Sequence, residues 1–481
     1  MAISEDVLAM AFSENSPSLS IDGMLMDSAT IASVLDEAKA RPHVKELTLR
    51  TVTIDEVVAK AAEALFASGR AWTKIDAIHC TGYLSRLIQA TLPWTQQFSF
   101  TGSVPIAHNP RYSLDVSALR ALGKALKDYE GLTTLSLRGT RLSRQGLEAF
   151  CAGLAESSSL QTLQMSHCAL ESNQEVSLLS SALRQNKHLH SLSLAHCKFG
   201  LHNPTTTHSS ASPEFATIIE SLIPHPRLQM LNIYGVHCNE RSTGALRRLL
   251  LFPNSKLWHL GLKNNLRHPE DRLELSGVLQ ALERNTKLTY LQISGNNLND
   301  RDMEQLAEIV THSNSTLRAL SLTANNFGDD GLLSFANSLA GMRALRFLDV
   351  QRNRLTDRSK KPIIAALKDN MELERLDLDG TWDRKKSFYL SLNRGGRRLL
   401  QTSNTAPLGL WPLVLERANS LQFGRNQPHA NLDVLYCLLL QGPAALLRPT
   451  RKRKTEEEED HDGKLPAKKR KRLVPDILAA G

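Results

Sequence analysis

Four His-Cys dipeptides, His79-Cys80, His167-Cys168, His196-Cys197 and His237-Cys238, hold the residue types that bind zinc. On neighbouring strands, His167 and His196 would lie about one strand spacing, roughly 5 Å, apart. Adjacent residues of a strand face opposite ways, so the imidazole and thiol of one dipeptide cannot easily share a tetrahedral ion. The cysteines are expected as small buried side chains. His268-Pro269-Glu270 matches the first half of a zinc-deaminase signature, but no P-C-x-x-C follows it. Asp377-x-Asp379-Gly380 has a calcium-like start, yet Leu390 stands where a loop opened at Asp379 needs its bidentate glutamate. No two glycines are separated by one residue, and neither G-x-x-x-x-G-K-[ST] nor H-E-x-x-H occurs. Dinucleotide-binding, P-loop and zincin chemistries are thereby excluded. No catalytic residue, metal or cofactor is expected, and the chain reads as non-enzymatic.

What the sequence does contain is a repeat. The spacing L-x-x-L-x-L-x-x-N/C/T-x-L recurs, for example as Leu288, Leu291, Ile293, Asn296 and Leu298, then Leu317, Leu320, Leu322, Asn325 and Phe327, then Leu345, Leu348, Val350, Asn353 and Leu355. Copies start at Leu132, Leu160, Leu189, Leu228, Leu257, Leu288, Leu317, Leu345 and Leu373, separated by 28, 29, 39, 29, 31, 29, 28 and 28 residues. Weaker copies begin near Ser16, Val44, Trp72 and Thr95, which makes about 13 turns, regular from residue 132. The L-x-L alternation predicts a short half-buried strand in each turn. The remainder has helical spacing, as in Ala182-Leu183-x-x-Asn186, Ala281-Leu282-x-x-Asn285 and Ala366-Leu367-x-x-Asn370, where Asn is expected to end the helix in the left-handed conformation. The Asn/Cys/Thr position, filled by Cys80, Cys168, Cys197, Thr140 and Thr381 in variant copies, is expected to turn inward and satisfy backbone groups where the strand bends away. Neither element buries its apolar face alone, so successive turns must stack.

The pattern resembles ribonuclease-inhibitor-type leucine-rich repeats over residues 16–396. That resemblance implies an α/β leucine-rich-repeat solenoid, a horseshoe with a parallel concave β-sheet and convex helices. It also implies a binding scaffold, since the family includes ribonuclease inhibitors, sensor segments of immune receptors and the Ran GTPase-activating proteins. A GTPase-activating role is the alternative that it raises, although here the acidic run is only Glu456–Asp460 and sits among basic residues.

On such a sheet two columns face the concave side: Met230, His259, Tyr290, Ala319, Phe347 and Arg375, and beside them Asn232, Gly261, Gln292, Ser321, Asp349 and Asp377. Tyr234 and Trp258 flank their start. Aromatics are 5% of the residues, so their clustering marks Met230, Tyr234, His259, Tyr290 and Phe347 as candidate anchors for a protein partner, with Asp349, Arg375, Asp377 and Asp379 as a polar rim. Residues 104–113 and 202–213 lengthen two units and read as exposed loops on one rim, which cost little to insert and serve as partner contacts in the alternative.

The 481 residues divide into an N-terminal segment (1–15), the array (16–396), a helical C-terminal cap (397–447) and a tail (448–481). Of the net charge of +9 in the whole chain, the tail carries +4, from 11 basic and 7 acidic residues. The body is near neutral and offers no sign of a nucleic-acid groove. Blocks of like charge predict a disordered tail. Its clusters Arg451, Lys452, Arg453 and Lys454, and Lys468, Lys469, Arg470, Lys471 and Arg472, resemble a nuclear localisation signal. A nuclear import receptor is the expected partner there, and the nucleus, with the cytoplasm as a second location, is the expected destination. Non-specific nucleic-acid binding through the tail is the competing reading. No apolar run approaches the roughly 20 residues of a membrane span, so no membrane is expected as a partner. No secretory signal is expected, and six scattered cysteines fit a reducing compartment.

Overall fold

The computed structural model describes residues 5–12, 16–103, 113–199, 213–236, 238, 240–263, 272–313, 316–380 and 384–397. Residues 104–112 and 202–212 of the rim insertions, His237, the His268-Pro269-Glu270 tripeptide, Thr381, residues 398–447 of the expected cap and the whole tail lie outside these residues. The sheet has 13 parallel strands in sequence order. They are β1 Ser18–Asp22, β2 Glu46–Arg50, β3 Trp72–Ile78, β4 Thr95–Thr101, β5 Thr134–Arg138, β6 Thr162–Ser166, β7 Ser191–Ala195, β8 Met230–Tyr234, β9 His259–Lys263, β10 Tyr290–Ser294, β11 Ala319–Ser321, β12 Phe347–Asp349 and β13 Arg375–Asp377. Between consecutive strands the chain forms helices that stack on one face, giving an α/β solenoid. No described helix is long and apolar enough to cross a membrane.

The repeat spacing explains the core. Leu288, Leu291 and Ile293 are fully buried, as are Leu317, Leu320 and Leu322 one repeat later. Register is strict, because a one-residue slip would turn the paired apolar residues out to water. The free edge of β1 is shielded locally: the helix Glu5–Ala11 precedes it, Phe12 bridges to Leu19, and the Arg41 guanidinium lies 4.2 Å from the Phe12 ring centre.

After most of the described strands the chain turns sharply, and one position carries that turn. Thr51, His79, Gly139, His167, His196, Gly235, Gly295, Ala324, Arg352 and Gly380 all have φ between 52° and 76° there. Most of their amides extend the ladder, as in Gly139 N–H to the Ser166 carbonyl at 2.8 Å and His167 N–H to the Ala195 carbonyl at 2.8 Å. Glycine takes this region without strain, and histidine is among the side chains that tolerate it best. His79, His167 and His196 are therefore turn residues, and the cysteine after each faces inward, whereas in the fourth unit Gly235 carries the turn. Cys80 donates its thiol to the Leu49 carbonyl, Cys168 to Leu137 and Cys197 to Met165, each at 3.4 Å.

The helix ends correct one expectation. Asn186 and Asn370 are extended (φ −59° and −77°), not left-handed. Their amides do the work instead. Asn186 Nδ2 donates to the Leu154 carbonyl at 2.7 Å, while its Oδ1 accepts from Leu189 N–H at 2.8 Å. Asn285 and Asn370 repeat this pair of bonds. A side chain that both donates and accepts closes the turn and ties it to the previous repeat, so no φ reversal is needed.

His225 stands at the same position in the irregular unit. Its Nδ1 accepts from Leu228 N–H at 3.0 Å, but its buried Nε2 has no hydrogen-bond partner. Burial first, and the Lys187 charge second, push the imidazole down to about 4. The unfolded chain then binds the extra proton between about pH 6.5 and 4, so stability is lost as pH falls through that window. His225→Asn puts at this position an amide like that of Asn186, which can donate to the previous repeat, and removes the titration. Relative to the parent, the variant should gain about 2 to 3 kcal/mol more at pH 4.5 than at pH 7. Urea unfolding at both pH values checks this, and an equal difference at both would show that His225 does not carry the effect.

Candidate functional site

The sheet face opposite the helices holds the candidate residues in consecutive register. Met230, His259, Tyr290, Ala319, Phe347 and Arg375 pair strand to strand from β8 to β13, with Asn232, Gly261, Gln292, Ser321, Asp349 and Asp377 alongside. Towards the N-terminus the same columns carry polar side chains without rings, among them Thr134, Ser136, Thr162, Gln164, Ser191 and Ser193. The large rings are thus gathered at one end of the face.

Within that end, the rings are ordered by contact. The His259 and Tyr290 rings stack with centroids 4.4 Å apart and planes within 3°, and Trp258, 39% exposed, meets His259 edge-on at 5.6 Å. Arg375 covers Phe347 at 5.0 Å from the ring centre and makes a two-pronged ion pair with Asp377, 2.6 Å at its closer contact. Asp349 accepts from the Thr323 hydroxyl at 3.1 Å. Burial lowers the His259 pKa, so that ring is neutral at neutral pH, and burial raises those of Tyr234 and Tyr290.

Tyr234 lies in a third column, next to Lys263, and reaches back over the sheet. Its hydroxyl is 3.0 Å from Asn232 Oδ1 and 3.1 Å from Gln292 Oε1, two strands away. His259 Nε2 shares the Asn232 oxygen at 2.9 Å. Gly261 makes this possible, since a Cβ there would lie 2.4 Å from Asn232 Oδ1 and 2.9 Å from the Tyr234 hydroxyl. The sequence places Gly261 in the column but gives no hint that its missing side chain lets Tyr234 span the strands.

The histidine pairs sit elsewhere, at the ends of the strands. His167 and His196 stack with centroids 4.9 Å apart beside a cavity of about 390 Å³, lined in part by Thr140, Arg141, Cys168 and Lys198. Cys168 points its thiol away to the Leu137 carbonyl, so the cavity does not bring thiol and imidazole together as zinc ligands. Among the described residues no group of three His, Cys, Asp or Glu side chains is placed to hold a metal.

Comparison with known proteins bears on the scaffold. A family model described as "Leucine Rich repeat" matches residues 185–201, 284–307 and 313–336. A protein phosphatase 1 regulatory subunit 37 homolog of Caenorhabditis elegans is 30% identical over 162 residues, covering 32% of this chain and 17% of that protein. Its Caenorhabditis briggsae counterpart is 28% identical over 170 residues, 34% of this chain and 18% of that one. The human NACHT, LRR and PYD domains-containing protein 14 is 28% identical over 153 residues, 32% of this chain and 14% of that one. The chain thus spans less than a fifth of the length of these relatives. With thirteen stacked parallel strands, a core built from the L-x-x-L-x-L spacing and a family model matching three of its units, the chain is a leucine-rich-repeat protein.

Proposed function

We propose that this chain is a non-enzymatic scaffold that binds a protein partner on the sheet face of β8–β13, and that its basic tail clusters address it to the nucleus. The observation that carries the first part is the gathering of Met230, His259, Tyr290 and Phe347 on consecutive parallel strands, backed by a ladder that fixes their spacing. Large, rigid side chains held before binding lose little entropy on contact, which is why aromatic residues dominate interface energies. The names of two relatives make the catalytic subunit of protein phosphatase 1 a sensible first partner to try.

The test is affinity capture from lysate with the full chain and with a chain ending at Leu447, followed by the joint replacement Tyr290→Ala and Phe347→Ala. Partners held by both lengths belong to the array. The double variant should keep its circular dichroism spectrum and weaken such a partner by about a hundredfold or more. Unchanged affinity would move the interface off this face. For the tail, a fluorescent fusion in which Lys468, Lys469, Arg470, Lys471 and Arg472 are all alanine should shift from nucleus to cytoplasm. Unaltered nuclear accumulation would remove the import role from that cluster.

A further inference from the structure

The ring stack on the sheet face is interrupted at one strand. His259 lies against Tyr290, and Arg375 lies against Phe347, but between Tyr290 and Phe347 the register places only Ala319. Two strand spacings separate the flanking residues, roughly 10 Å. The floor is formed by Ala319 and the buried Ser321, whose hydroxyl is 3.0 Å from that of Thr323. A planar cation seated midway in such a gap lies about 5 Å from each ring, within cation–π reach.

Charge decides which planar group. Asp349 borders the gap one strand over, and its negative charge, after burial, raises the pKa of the Tyr290 hydroxyl. Among the described residues the Asp349 carboxylate forms no salt bridge, although the Arg375 charge reaches it; it accepts from the Thr323 hydroxyl and the Gln351 backbone N–H. The protein itself shows what such a setting prefers. On the other side of Phe347, the Arg375 guanidinium lies over the ring and pairs with Asp377. A guanidinium is flat, always charged and weakly hydrated, so it can stack on a ring and bind a carboxylate together.

We propose that the slot over Ala319, walled by Tyr290 and Phe347 and closed by Asp349, receives an arginine side chain of the protein partner. This deepens the reading above and rests on it in taking the sheet face as the place of binding. It also assigns a specificity role to Ala319, whose small side chain is what leaves the slot open.

The test titrates the full chain with acetyl-Gly-Arg-Gly-amide, followed by ligand-observed NMR, beside the lysine and phenylalanine analogues. The arginine probe should bind with a dissociation constant on the order of 1 mM, at least fivefold tighter than either analogue. Ala319→Phe fills the slot with a third ring and should abolish that preference while leaving the melting temperature unchanged or raised. Asp349→Asn, which keeps the shape, should weaken the arginine probe at least tenfold, and it decides the matter where Ala319→Phe does not fold. Arginine binding no better than lysine, tighter binding of the phenylalanine probe, or undiminished arginine binding by a folded Ala319→Phe or by Asp349→Asn would each overturn the proposal. The probe needs no natural partner, so failure to capture one leaves this measurement intact. Conversely, a partner that is lost with Tyr290→Ala and Phe347→Ala but kept by Ala319→Phe would leave the scaffold reading standing and remove only the arginine slot.

Discussion

Asn325→Ala should lower the unfolding free energy by about 3 to 5 kcal/mol, more than a typical surface asparagine by an order of magnitude. The side chain is buried and each of its polar atoms bonds backbone. Nδ2 donates to the Ile293 carbonyl at 2.7 Å and the Leu322 carbonyl at 2.8 Å, and Oδ1 accepts from Asn296 N–H at 2.8 Å and Leu298 N–H at 3.2 Å. Alanine leaves these groups in an apolar interior, where each unpaired one costs about 1 to 3 kcal/mol. The Leu322 carbonyl is spared, because Asn353 Nδ2 also donates to it at 3.0 Å. Asn325→Cys should cost less, about 2 kcal/mol, since a thiol can still donate but accepts poorly. Natural cysteine copies meet that deficit by pairing the next residues as short strands, Thr53–Ile54 with Thr81–Gly82 and Ala169–Leu170 with Lys198–Phe199. Equilibrium urea unfolding of the three proteins gives the ranking. A loss below about 1 kcal/mol for the alanine variant would mean that water reaches these groups.

Gly153→Val should be comparably damaging, by about 3 to 5 kcal/mol, with the loss concentrated where the helices Val116–Asp128 and Arg144–Glu156 meet. A Cβ on Gly153 would lie 1.9 Å from the Gly123 carbonyl oxygen, and one on Gly123 would lie 2.1 Å from that of Ala149. Backbone cannot swing aside as a flexible side chain can, so the helices must separate and lose packing along their length. In a stacked array each unit is held mainly by its neighbours, so weakening one junction should also broaden or split the melting transition. Gly244, inside the helix Glu240–Leu251, provides the control, because a Cβ there meets nothing within 4 Å. Gly244→Ala should be neutral or stabilising by up to about 1 kcal/mol, the ordinary helix preference for alanine. Scanning calorimetry on both variants decides. Equal effects would show that the helix contact at Gly153 relaxes without cost.

The repeat was legible because it is set by local rules. Alternation at Leu291-x-Ile293 and its equivalents fixes which side chains are buried, and a near-constant interval of 28 or 29 residues fixes which strands are neighbours. Those two facts place Tyr290, Phe347 and Arg375 in one column, and the register agrees. The inward-facing cysteines follow from the same alternation. The histidines before them carried a second meaning that the sequence does not state, since a His-Cys dipeptide reads equally as metal chemistry or as a left-handed turn followed by a buried thiol. Only the backbone, with φ near 52° at His167 and 53° at His196, separates the two.

Sequence by itself therefore determined the stacking unit, its direction and the identity of the columns, because periodicity acts within one repeat and stacking copies it to the next. Tertiary structure decided everything that depends on distance between repeats. Asn186 and Asn370 looked like left-handed helix ends, yet their amides reach carbonyls about thirty residues back and leave the backbone extended. Gly153 and Gly244 look alike as helical glycines, yet one touches the backbone of its neighbour and the other touches nothing. Gly261 and Ala319 look like gaps in a column, but Tyr234 spans the first while the second stays open between two rings. In each case the deciding quantity is a separation between side chains or backbones of different turns, which spacing along the chain does not specify.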